Sequence, residues 1–174
     1  MTRFILGALA AALAAPAPVR LAPVVVSPAV PLGPPWISIE HPVNPYDQTT
    51  RGAFLVVHAF HHGTLTAFPV SGTAEGLVNG QRRTLKLDFR TTSRTGAYAL
   101  TKQWPSEGTW SLVITVAQGP EDAVSAVVDL DGAGDVARVH VPTRQQDRWT
   151  VPARVSMSEI EASLHQRAAK YAAR

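Results

Sequence analysis

With 174 residues, 45% of them hydrophobic and 17% charged, the chain can bury one real core and is too short for two domains of ordinary size. The absence of cysteine removes disulfides, thiolate metal sites and cysteine nucleophiles together, so in an exported protein stability must come from packing. The net charge of +3 is mostly a property of the tail: residues 36–142 hold eight Lys/Arg and ten Asp/Glu, whereas 143–174 hold six and three. These spread arginines, without interleaved aromatics, argue against nucleic-acid binding.

Met1-Thr2-Arg3 is a short basic start, and the apolar run Phe4–Leu13 has the length of a signal-peptide core, below the ~20 residues a membrane span needs. With Ala12-Leu13-Ala14 as a small-x-small cleavage pattern, it predicts a signal peptide over 1–14; an uncleaved membrane anchor is the alternative. From Ala15 to Pro35 prolines recur among alanines and valines, and a segment lacking so many amide donors cannot join a sheet interior, so 15–35 reads as a linker. Polyproline-II spacing is its plain reading and a partner-docking PxxP site the other.

The folded domain is predicted over 36–142. Trp36–Glu40 alternates with Ile37 and Ile39 on one face, and Pro42 and Pro45 force a turn after it. Ala53–Phe60 is apolar on both faces, which requires cover on both sides. A bent strand, Phe68–Thr73 and Glu75–Val78, leads into Asn79-Gly80, a two-residue hairpin signal, and returns through Thr84–Phe89 with Leu85, Leu87 and Phe89 inward. Around Pro105, Ala97–Thr101 and Gly108–Val116 read as consecutive antiparallel strands, each reached through a glycine (Gly96, Gly108) followed two residues later by an aromatic (Tyr98, Trp110). In the second, Trp110, Leu112, Ile114 and Val116 share one parity and Val113 alone breaks it; Trp110 is the expected central core aromatic. Val124–Leu130, a glycine-rich turn at 131–135, and Val136–Val141 complete seven or eight short strands. Their spacing predicts an all-β, immunoglobulin-like antiparallel sandwich.

Residues 143–174 read as a basic linker and an amphipathic helix. Ser156-Met157-Ser158-Glu159 fits a capping box, and Met157, Ile160, Leu164, Ala168 and Tyr171 form one helical stripe. The stripe either packs on the chain's own sandwich, with the doubly apolar Ala53–Phe60 strand as a landing site, or meets a partner: another subunit, a second protein, or weakly a membrane surface, since Arg167, Lys170 and Arg174 flank it.

Thr95-Gly96-Ala97-Tyr98 with Glu107-Gly108-Thr109-Trp110-Ser111-Leu112 resembles the G-x-Y … G-x-W-x-L pattern near the end of YtkA-like and FixH-like exported domains, over roughly residues 68–116. The resemblance implies an exported immunoglobulin-like module, associated in some relatives with metal transport or respiratory-complex assembly. The chain departs from the FixH pattern in lacking a retained membrane helix followed at once by the domain. Its only methionines, Met1 and Met157, give no basis for thioether copper ligation.

His58, His61 and His62 are the one local cluster of good metal ligands, with His41 available to complete a copper or zinc set. On a straight strand His58 and His62 lie about 13 Å apart and adjacent His61 and His62 face opposite ways, so one ion can join two of them only if the chain turns at His61-His62-Gly63. Asp129, Asp131 and Asp135 around two glycines resemble part of a calcium loop without its closing glutamate, and read first as a hairpin turn. Glu75 reads as a solvent-facing residue at a strand bend, and Arg82 and Arg83 as exposed arginines able to clamp an anion or a partner carboxylate. No nucleophile elbow, metalloprotease helix or phosphate-cradling glycine loop is present. The expectation is therefore a non-enzymatic binding or accessory module without a resident cofactor, periplasmic or secreted in a bacterium. It would recognise a protein partner or a second copy through its loops or through Met157, Ile160, Leu164 and Tyr171, with copper or zinc handling as the alternative.

Overall fold

The structure is a computed structural model and describes residues 33–172; the signal peptide expected over 1–14 and the linker as far as residue 32 lie outside the described residues. Two sheets form the sandwich. One runs β1 (Trp36–Glu40), β2 (Leu55–His61), β7 (Ala97–Leu100), β6 (Arg90–Thr91), with the short β3 (Thr64–Leu65) also on β2. The other runs β10 (Val136–His140), β9 (Ala123–Leu130), β8 (Thr109–Ala117), β4 (Val70–Val78), β5 (Gln81–Lys86), and every pairing is antiparallel. A separate hairpin, β11 (Thr143–Gln146) with β12 (Trp149–Pro152), precedes the helix α1 (Met157–Ala172). Among the described residues no helix is long and apolar enough to cross a membrane.

Alternation decides the core. Leu55, Val57 and Ala59 of β2, Leu112, Ile114 and Val116 of β8, and Val124, Ala126, Val128 and Leu130 of β9 point between the sheets around Trp110, which is 3% exposed. Gly76 of β4 lies opposite Trp110 in register, and a Cβ there would sit 2.5 Å from the indole ring; the glycine makes room for the tryptophan. Gly96 and Gly108 both take positive φ, +70° and +94°, as the turns before the two aromatic strands require. The Asn79-Gly80 hairpin forms, with φ of +50° and +75°.

Three expectations change. The strands β7 and β8 do not pair with one another: β7 joins β2 and β6, β8 joins β4 and β9, and residues 101–108 carry the chain from one sheet to the other. That connection is too long for a tight hairpin, and the buried Trp104 within it packs edge-on against Phe54. Residues 143–152 are a hairpin rather than a linker. Finally, α1 does not cover β2. The outer face of β2 lies under the Asp47–Thr50 turn, where Arg90 donates to the Thr49 carbonyl (3.1 Å) and Arg94 reaches Asp47 (3.0 Å), leaving Val56, Ala97 and Ala99 buried.

The helix packs on the outer face of the second sheet, with Ile160 and Leu164 against Val127 and Val113. Val113 thus breaks the strand's alternation because its outward face is covered by a helix. The capping box forms as read: Ser156 Oγ accepts from the Glu159 amide (3.3 Å) and Glu159 accepts from the Ser156 amide (2.9 Å).

Candidate functional site

The four histidines named from the sequence fall into three separate settings. His58 points to the outer face of β2, diagonal to Glu40 on β1, and its Nε2 lies 2.8 Å from the Glu40 carboxylate. Arg94 reaches the same carboxylate at 3.7 Å and Asp47 at 3.0 Å, so His58, Glu40, Arg94 and Asp47 form one network across the strands and the turn. The Asn44 amide, aided by His58 and Arg94 and opposed by burial, holds Glu40 below the usual carboxylate range; the Thr49 hydroxyl and amide do the same for Asp47. His41 donates from Nδ1 to the Phe54 carbonyl (3.1 Å) and packs on the Phe54 ring.

His61 and His62 do come together. The chain turns at His62-Gly63, where φ is +48° and +79°, and His61 pairs with Thr64 across this two-residue loop. His62 therefore leaves the strand, and its ring meets that of His61 edge-to-face at 4.2 Å between centroids. His61 also stands edge-on to Phe68, and its Nδ1 is buried without a hydrogen-bond partner. Among the described residues no group of three or more His, Asp or Glu side chains is placed to hold a metal ion.

The helical stripe divides. Ile160 and Leu164 are fully covered by the chain's own sheet, Tyr171 is half-buried with its hydroxyl 3.5 Å from the Leu130 carbonyl, and Met157 stays 51% exposed. A polar seam that the sequence pattern did not reveal latches the helix. Arg167 donates to the Trp110 and Leu130 carbonyls (3.0 and 2.9 Å), which lie beyond the last rung of the β8–β9 ladder, to the Ser111 hydroxyl, and to the buried Asp129 carboxylate (3.2 Å). Burial lowers the Arg167 pKa and the Asp129 charge opposes that shift. Asp129 is therefore committed to the helix, while Asp131 accepts from the Ala133 and Asp135 amides and shapes its turn. Glu75 is buried rather than solvent-facing, held by Arg82 (3.0 Å) and Thr84 (2.7 Å); Arg82 also approaches Glu161 of the helix at 3.6 Å. The advance signals for this seam were Val113 and Val127, whose wrong parity marks a covered outer face.

The β11–β12 hairpin stands open to solvent, as do Trp36 (51% exposed) and Tyr46 (88%) elsewhere on the surface. Residues 143–150 are all exposed, Trp149 is 63% exposed, and the Arg148 guanidinium sits 5.4 Å over its ring. No protein-family model matches the chain, and neither a curated protein nor a solved structure matches it.

Proposed function

We propose that the chain is an exported, non-enzymatic recognition module of immunoglobulin type, working in the bacterial periplasm, whose partner-binding surface is the β11–β12 hairpin. The fold part of this reading is supported by strand order. Lettered along the chain, β1-β2-β7-β6 reads A-B-E-D and β9-β8-β4-β5 reads G-F-C-C′, with β3 and β10 as additions. Export rests on the sequence pattern of residues 1–14, and the accessory role on the likeness of Gly96-Ala97-Tyr98 and Gly108-Thr109-Trp110 to YtkA-like and FixH-like domains.

The observation that carries recognition is the exposed Trp149. Trp104 and Trp110 are buried, Trp36 is 51% exposed within the paired strand β1, and the helix has committed Ile160 and Leu164 to its own sheet; the hairpin, like the turn at Tyr46 (88% exposed), holds a large aromatic in water without a core to serve. A photo-crosslinking residue at position 149 is expected to give one discrete adduct in the cell envelope. The same residue at Lys86, on the exposed edge strand β5, is expected to give none. Equal labelling from both positions, or none from 149, removes this reading.

One observation favours the second reading, copper or zinc handling: the turn at His62-Gly63 brings His61 and His62 together and leaves His61 Nδ1 unpartnered. Calorimetric titration of untagged protein should then show one equivalent of metal, lost in His61→Ala/His62→Ala. Binding should persist in His58→Ala, whose ring is engaged by Glu40. No heat of binding from either metal ends this alternative.

A further inference from the structure

The hairpin has more to say about its partner, on the footing of the recognition reading above. Its base is fixed. The Ala153 amide donates to the Pro142 carbonyl (2.8 Å), the Ala153 carbonyl accepts from Ser125 of β9 (2.9 Å), and Arg154 donates to the Pro120 carbonyl (2.8 Å). Above that base the two strands stand alone, and an isolated two-stranded hairpin is only marginally stable in water.

Register sorts its side chains. Arg144 lies opposite Val151 and Gln146 opposite Trp149, so these four share one face, with Arg148 stacked over the indole at the turn. Residues 136–154 hold Arg138, Arg144, Arg148 and Arg154 against the single carboxylate of Asp147; their net charge of +3 equals that of the whole chain. Arg138 faces Asp129 at 3.5 Å, while Arg144, Arg148 and Arg154 have no carboxylate partner among the described residues. Tryptophan and arginine are the side chains that most often dominate binding energy at protein interfaces. One exposed tryptophan beside a half-buried valine gives too little apolar surface to anchor in a bilayer.

We propose that the β11–β12 hairpin binds an acidic segment of a partner protein, with carboxylates against Arg144 and Arg148 and an apolar side chain against Trp149. The probe is a peptide of alternating glutamate and leucine, titrated into the isotope-labelled full chain and followed by amide NMR. Shifts confined to 143–151 are expected. Affinity should fall roughly tenfold in Arg144→Gln/Arg148→Gln and roughly fivefold in Trp149→Ala at unchanged net charge. Unchanged amide positions in the rest of each variant's spectrum check that it is folded.

Unaltered affinity in Trp149→Ala would reduce the effect to plain charge attraction and overturn the proposal. So would shifts centred elsewhere, or binding to phosphatidylglycerol vesicles but not to the peptide. A discrete adduct from position 149 in the cell together with failure of the acidic peptide overturns the acidic chemistry alone, and leaves recognition through the hairpin standing.

Discussion

Gly76 and Trp110 form the tightest single fit in the core. A methyl group at Gly76 meets the indole 2.5 Å away, and neither the buried ring nor the paired backbone can give. Gly76→Ala is expected to cost about 1–3 kcal/mol, the usual range for overpacking, read as a lower urea midpoint at unchanged slope. His140 offers a test of a different kind. Burial and the neighbouring Arg138 lower its pKa from the ordinary 6.5, against the pull of Asp129 and Glu159. The unfolded chain therefore takes up a proton near pH 6.5 while the folded one resists. Stability is full above 6.5 and is lost as pH falls toward the depressed folded value. His140→Asn should make the decline in Tm just below pH 6.5 shallower. Glu40 adds a loss further into acid, since its folded pKa lies below 4.5. Trp110 could be read from the chain as a core residue, because a strand's alternation names its inward residues; Gly76 opposite it could not, because that pairing is set by the β4–β8 register. The His58–Glu40 pair could not, because it depends on which residues of β1 and β2 stand diagonal across the ladder.

The helix shows the same division. Its cap and stripe are local and follow from Ser156, Glu159 and the spacing of Ile160 and Leu164. Its landing place is not local, and the sheet it covers is the one the alternation of β2 did not suggest. Ile160, Leu164 and the bonds of Arg167 supply most of its hold, with Tyr171 and the Arg82–Glu161 pair at longer range, so Arg167 matters out of proportion to its position on the stripe's edge. Arg167→Met leaves the buried Asp129 with only the exposed Arg138 at 3.5 Å and should cost about 3 kcal/mol, with faster proteolytic cleavage within α1. The double variant Asp129→Leu/Arg167→Leu should recover much of that loss, because it removes both charges together. The β11–β12 hairpin escaped the sequence pattern for the opposite reason: β11, Thr143–Gln146, is polar and exposed on both faces, and the two apolar residues of β12, Trp149 and Val151, are too short a run to read.

Taken together, the sandwich is complete in its inner core but depends on α1 to cover Val113 and Val127. Ending the chain after Ala153 should lower stability by about 4 kcal/mol, the burial of two large aliphatic side chains, and should produce concentration-dependent association on size exclusion. A shortened chain that stays monomeric at unchanged stability would show that the helix contributes nothing to the sheet it covers. The sequence by itself determined the antiparallel strands, the Asn79-Gly80 hairpin, the positive-φ glycines and the capped amphipathic helix, because turn chemistry and side-chain period act over a few residues. Only the tertiary structure decided that β7 and β8 belong to different sheets, that Asp129 and Glu75 are buried under a helix, and that Trp149 is left in water. Periodicity says that a face must leave water, but apolar burial has no direction and does not say what will cover that face.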